Sequence, residues 1–231
     1  MLLLVDKPYL WTSFDVVKKI RNLLPKKTKV GHSGTLDPMA TGLLVVGIGK
    51  GTKKLSLIQD MGKEYIAEID FSVSSDTWDM QYHKDFISYD FTSNGIWKEG
   101  KFCEAPDIST VSELLDCLTP EKEMPLPAFS AKKKQGKKFY EMARKGDSIE
   151  AFQTMKFYDY KILSYDFPKL KIQIEVGSGT YIRSVAYWMG LQFGLGGALS
   201  GLQRTKIGEF SLEDAYNLDQ LTETVLQKFI S

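Results

Sequence analysis

The feature that most constrains the fold is a period of two. Tyr65, Ala67, Ile69, Phe71 and Val73 alternate with Glu68, Asp70 and Ser72, and much later Leu170, Ile172, Ile174 and Val176 alternate with Lys171, Gln173 and Glu175. Successive side chains of a strand point to opposite faces, so each stretch predicts a strand with one buried face. Such strands need a second layer to cover them. Short apolar stretches at Leu2–Val5, Leu43–Ile48 and around Leu199 to Ile207 predict further strands. Helical spacing appears at Phe14, Val17 and Ile20, behind a cap at Thr12 or Ser13, with an end near Leu24 before Pro25. Further helices are expected from Thr110, with a capping box to Glu113, to about Leu118; from Lys137 to Lys145, closed by Gly146; from near Thr180; and from near Asn217. Helices and strands mixed without regular alternation predict an α+β fold around a largely antiparallel central sheet flanked by helices. No repeat or linker interrupts the chain, so residues 1–231 are expected to form a single domain, with the irregular, acidic stretch at about 77–125 as a surface insertion.

Composition excludes several classes. No uncharged apolar run approaches the ~20 residues of a membrane span, and the apolar start is cut short by Asp6 and Lys7. A soluble, cytoplasmic protein is expected. Two cysteines without C-x-x-C spacing, and two histidines, give no soft-ligand metal site and no disulfide framework. The net charge of +1 hides a segregation of sign. Lys18, Lys19, Arg21, Lys26, Lys27 and Lys29 form one acid-free basic patch. Lys132, Lys133, Lys134, Lys137, Lys138, Arg144 and Lys145 form another, with Phe129, Phe139 and Tyr140 interleaved. A lysine run alone is as often a solvated helix face; two in a near-neutral chain favour phosphate binding.

The densest stretch is Val30 to Lys53, which gathers glycines, His32 and the acid Asp37 between two strand-like segments. It is not a Walker loop, because Gly49 and Lys50 are followed by Gly51, and not a hydrolase elbow, because Gly31 to Gly34 reads G-H-S-G. The composition of Gly31 to Thr41 suits a tightly turned loop.

Gly31 to Gly42 matches throughout the pattern G-H-x-G-T-L-D-P-x-A-T-G, and on this run the chain resembles the bacterial tRNA pseudouridine-55 synthases of the TruB type. Other blocks follow in the family's order. The opening L-D-K-P-x-G-x-T-S is present as Leu4 to Ser13, with one extra spacing and no glycine; K-x-Y is Lys63 to Tyr65. The P-x-F-S-A-x-K-x-x-G-K-x-x-Y block is matched by Pro127, Phe129, Ser130, Ala131, Lys133, Gly136, Lys137 and Tyr140. G-T-Y-I-R-S is Gly179 to Ser184, followed by Leu202, Arg204, Thr205, Gly208 and Phe210. Departures at Val73, Ser75, Gly177 and Trp188 leave the reacting positions intact and set apart the surface from Val73 to Asp79.

The resemblance implies the pseudouridine synthase fold, no cofactor and no metal. It implies isomerisation of a flipped uridine in the TΨC loop of tRNA by one ionised carboxylate, Asp37. That carboxylate could attack the uracil, attack the sugar, or take the C2′ proton. Arg183 takes the place of the cation that keeps Asp37 charged against desolvation. Tyr65 falls on the residue able to stack on the base and help remove the C5 proton. His32 falls on the group that fills the gap in the RNA stack, and Leu202 on the apolar pocket wall. Lys7, Gly31, Thr35, Lys63, Tyr181, Lys133 and Lys137 are expected to complete the RNA-binding set. Taken singly, Asp37 before Pro38 could merely start a turn, Tyr65 could be a core tyrosine, and Arg183 could pair with any acid; order and spacing together favour the enzyme. A monomer without an obligatory protein partner, and without the C-terminal PUA domain of longer relatives, is expected. The alternatives are an RNA-binding or folding protein without catalysis, and a synthase acting on another RNA.

Overall fold

The structure is a computed structural model that describes residues 1–81, 86–130, 133–134, 137–138 and 151–229. The chain divides into two compact units, Met1–Ile66 with Gly201–Ser231, and Ala67–Ser200. Both divisions fall inside strands, Lys63–Asp70 and Ala198–Ile207.

The first unit is built on Thr41–Ile48, buried along nearly its whole length. Such a strand must be covered on both faces, and its alternating side chains separate two cores. Leu44, Val46 and Ile48 pack with Leu3 and Val5, with Val16, Val17 and Ile20 of the helix Ser13–Asn22, and with Leu218, Leu221 and Leu226 near the C-terminus. Leu43 and Val45 pack on the opposite side with Ile58 and Ile207. Leu2–Lys7 pairs antiparallel with this strand, Leu2 opposite Gly47 and Lys7 opposite Gly42; Val30–Ser33 pairs antiparallel with it further along. The segment Gln203–Arg204 pairs with it in parallel, placing Arg204 opposite Gly42.

The helix Ser13–Asn22 starts at Thr12, whose hydroxyl accepts from the Asp15 N–H while the Asp15 carboxylate accepts from the Thr12 N–H, a reciprocal capping box. Phe14, expected among its core positions, is 59% exposed, and Val16 takes its place in the core. The run expected as loop from Gly31 begins instead as the strand Val30–Ser33, because its backbone finds ladder partners along Val45–Ile48.

The second unit is organised on the hairpin of Phe152–Asp166 and Lys169–Val176, antiparallel throughout. Leu170, Ile172, Ile174 and Val176 are buried as their alternation requires. Glu121–Pro125 pairs antiparallel with Phe152–Lys156. The helix Ile108–Asp116 is capped by Asp107, whose carboxylate accepts from the Thr110 N–H, rather than by Thr110; an ionised oxygen is the stronger acceptor. Ile96, Val111, Leu115 and Met124 are fully buried, so the stretch from 77 to 125 supplies core as well as surface. The helix Ile182–Phe193 ends at Gly194, φ 68°. Lys137–Lys138, where a helix to Lys145 was expected to begin, is instead a strand paired antiparallel with Lys133–Lys134; residues 139–145 lie outside the described residues. The last helix expected from Asn217 is a 3₁₀ turn, Leu218–Gln220, then a short helix, Glu223–Gln227. Among the described residues no helix is long and apolar enough to cross a membrane.

Gly42 joins the catalytic-type run to this framework. It has φ 98°, and a Cβ there would lie 2.3 Å from the Arg204 carbonyl oxygen. Both backbone conformation and space forbid a side chain. Gly42→Ala is expected to cost at least about 3 kcal/mol in denaturant unfolding, because the Thr41–Ile48 ladder must shift to admit it. An unchanged unfolding midpoint would show that the strand pairing here is looser than described.

Candidate active site

Asp37 lies half-buried on the turn between Val30–Ser33 and Thr41–Ile48. Its own carbonyl accepts from the Ala40 N–H at 3.0 Å, and Leu36, Met39 and Ala40 are buried around it. The Ser13 hydroxyl, at the start of the first helix, accepts from the Leu36 N–H at 3.0 Å. The turn is therefore anchored from below on both sides of the carboxylate.

Two buried cations hold it further. Arg204, 1% exposed, donates from Nε to the Leu43 carbonyl and from Nη2 to the Gly34 carbonyl, each at 2.8 Å. Lys7, 0% exposed, donates to the carbonyls of Pro8 at 3.0 Å, Trp11 at 2.5 Å and Pro38 at 3.2 Å. Burial pushes the Lys7 ammonium down to about 8; the Asp37 carboxylate opposes that shift and the Arg204 guanidinium adds to it. The desolvation that this displacement records is worth about 3 kcal/mol, and three charge-assisted bonds of about 1.5–3 kcal/mol each suffice to offset it. Lys7 is thus a brace within the protein. Expected in the RNA-binding set, it donates to backbone carbonyls from a fully buried position.

Lys63, expected in the same set, is 8% exposed and likewise donates to backbone. Its ammonium donates to the carbonyls of Gln59 and Met61, at 2.6 and 2.5 Å, closing the end of the helix Leu55–Gln59. Burial lowers it to about 8, with Arg204 adding and Asp60 opposing. Its neighbour Tyr65 is buried on the same strand, which lies beside the one carrying Leu202 and Arg204. Leu202 and His32 are half-buried, and Thr35 is exposed. Burial, then Arg204, lowers the pKa of His32, favouring a neutral ring suited to stacking. A Cβ on Gly31 would touch Leu55 at 3.4 Å, so this glycine keeps the loop close to the helix Leu55–Gln59.

Arg183 and Tyr181 belong to the second unit, at the start of the helix Ile182–Phe193. The Arg183 guanidinium donates to the carbonyls of Thr77 at 2.9 Å and Phe129 at 3.0 Å, and stands 3.8 Å from the Asp79 carboxylate. Both members of that pair are buried. The other Asp79 oxygen accepts from the Thr77 hydroxyl and the Gln81 N–H. Between them Trp78 adopts φ 60° and stacks on Tyr187 at 4.2 Å and 5°. Side chains of Lys133 and Lys137 lie outside the described residues. Sequence reasoning overlooked Arg204 as a support for the Asp37 turn and Asp79 as a partner of Arg183. Arg204 stood inside a quoted block, whereas Asp79 carried no signal beyond a hydroxyl-rich, acidic turn.

The profile of the TruB family pseudouridylate synthase N-terminal domain matches residues 21–182. Two solved structures share the fold. A chain of a Cbf5–Nop10–Gar1 complex aligns with TM-score 0.67 at 25% identity, and one of an H/ACA RNP bound to a substrate RNA containing 2′-deoxyuridine with TM-score 0.66 at 24%. Each alignment covers 97% of this chain, which spans about half the length of those chains, 54% and 53%. The fold is that of the pseudouridine synthases. Three relatives named tRNA pseudouridine synthase B narrow this further. That of Chloroherpeton thalassium is 37% identical over 97% of this chain and 90% of its own. That of Ureaplasma urealyticum is 39% identical over 95% and 91%, and that of Protochlamydia amoebophila 40% over 94% and 77%. The chain belongs to the TruB family of pseudouridylate synthases.

Two measurements probe the braces. Asp79→Ala is expected to cost near the lower end of the ~3–5 kcal/mol range for stripping one partner from a buried ion pair, because 3.8 Å is longer than a charge-assisted bond; urea unfolding reads it. Lys63 releases its proton near pH 8 in the folded chain and near 10.5 in the unfolded one, so between these values the unfolded state holds more protons. Wild-type stability, relative to Lys63→Met, should therefore rise with pH across that window, by up to about 1.4 kcal/mol per unit. A fall would reverse the assignment.

Proposed function

We propose that this protein converts uridine to pseudouridine in the TΨC loop of tRNA, at position 55, with Asp37 as the catalytic carboxylate. The observation that carries the proposal is the Asp37 turn, fixed by Arg204, Lys7 and Ser13, within the run that matches the family. The relatives' shared name, tRNA pseudouridine synthase B, supports tRNA as the substrate.

The reaction transfers the ribose C1′ from uracil N1 to C5. The C5 proton leaves to solvent and N1 gains one, so no oxidant, cofactor or external nucleophile is consumed. The uridine must first leave its stack, at a cost of a few kcal/mol that phosphate contacts offset. Asp37 then acts on the extruded nucleotide, at uracil, at C1′ or at the C2′ proton, and each role requires the ionised form. Tyr65 stacks on the uracil, Leu202 walls the pocket, and the neutral His32 ring fills the vacated space in the RNA. Arg183 serves as the third catalytic residue. The protein acts as a monomer without a protein partner.

Tritium release from tRNA transcript labelled at uridine C5 tests this. Wild type should release the label, and Asp37→Asn, which removes the charge and nearly keeps the shape, should bind the transcript and release none. Release by Asp37→Asn at the wild-type rate would sink the mechanism, and binding without release by either protein would favour an RNA-holding role.

A further inference from the structure

Beside the Asp37 turn the first unit exposes Tyr9 and Leu10, next to Trp11 and Leu23, which pack in part against the core. Counted from Pro8, Leu10 falls on the glycine of the P-x-G-x-T-S block and adopts φ 64°, the left-handed backbone that glycine occupies without strain. Its side chain is 58% exposed, and Tyr9 before it is 52% exposed. A strained residue that buries so little points to a role outside folding. The Leu10 N–H donates to the Pro38 carbonyl at 2.8 Å, so this face begins one residue from Asp37.

From there a groove of about 510 Å³ lies beside the helix Ser13–Asn22, lined by Leu10, Trp11 and Leu23 together with Asp15, Asn22, Lys18 and Lys19. Within it Lys19 Nζ lies over Trp11, 5.8 Å from the ring centroid, and on the same helix outside the groove Arg21 is 5.9 Å from the centroid of Phe14. The sequence from Lys18 to Lys29 carries six basic residues and no acid. Of the acids close by, Asp15 is engaged by its capping box, and Asp219, fully exposed, pairs with Lys19 at 3.2 Å. Flat apolar surface beside lysines complements a base and its phosphates.

We propose that the face formed by the Tyr9–Trp11 turn and the helix Ser13–Asn22 is a second RNA contact, taking an unstacked base on Leu10 and Trp11 and adjoining phosphates on Lys18 and Lys19. It rests on the RNA-modifying function proposed above. Glycine at position 10 would suffice for the turn; leucine adds a contact for the base.

Fluorescence anisotropy with full-length Asp37→Asn protein and a fluorescein-labelled, unmodified tRNA transcript measures binding without turnover. Adding Leu10→Gly should raise Kd about tenfold while the melting temperature stays equal or rises. Adding Lys18→Gln with Lys19→Gln should lower the slope of log Kd against log salt by about 1–2. Kd within twofold and an unchanged slope in these variants would overturn the proposal. A Leu10→Gly protein that melts earlier would also overturn it, by assigning Leu10 to folding. If wild type releases no tritium while these binding effects appear, the isomerase function fails and the contact stands.

Discussion

Much of the first unit depends on where two buried positive charges find their acceptors. Lys7 and Arg204 occupy buried positions of their strands, Lys7 in alternation with Leu3 and Val5. A buried ammonium or guanidinium must be met by oxygens, and the oxygens available are backbone carbonyls of the Gly34 to Leu43 stretch and of the Pro8 to Trp11 turn. Charge solvation thus constrains the path of this turn alongside its buried side chains Leu36, Met39 and Ala40. Gly34 and Gly42 follow from the same constraint. A Cβ on Gly34 would come within 3.2 Å of the Arg204 guanidinium, and one on Gly42 would strike the Arg204 backbone.

This arrangement was only partly legible in the sequence. The half-buried strands could be read because alternation is a local property, and Leu170 to Val176 are buried in the pattern their spacing requires. The helix behind Thr12 was legible for the same reason, since its cap and first turn lie within four residues. Phe14 was not, because which stripe of a short helix meets the core is decided by the partner strand. Arg204 and Gly34 are far apart in the chain, and no local rule says that a basic residue in a strand turns inward to hold a distant loop. The family resemblance placed Lys7 and Lys63 in the RNA-binding set without showing that the fold buries both against carbonyls.

The second unit solves the same problem with a different acceptor. Arg183 is also buried and also donates to two carbonyls, but it adds a carboxylate, Asp79, which is fixed by Thr77 and Gln81. An arginine held by a fixed anion keeps its direction as well as its charge, because the planar guanidinium has few ways to satisfy three acceptors at once. Trp78, between Thr77 and Asp79, adopts a left-handed backbone that its stacking on Tyr187 helps to hold. Strain in this turn and strain at Leu10 therefore differ in kind: one is tied to a buried network, the other to exposed surface.

For catalysis by a single carboxylate this matters through reorganisation. A charged group that must stay ionised under a bound base gains most from dipoles and cations already in place, since none then has to be oriented as the reaction proceeds. Lys7 responds to the Asp37 charge yet cannot swing toward it, because three carbonyls hold its ammonium. Anchoring Lys7 on backbone carbonyls thus fixes the position from which its charge acts on Asp37.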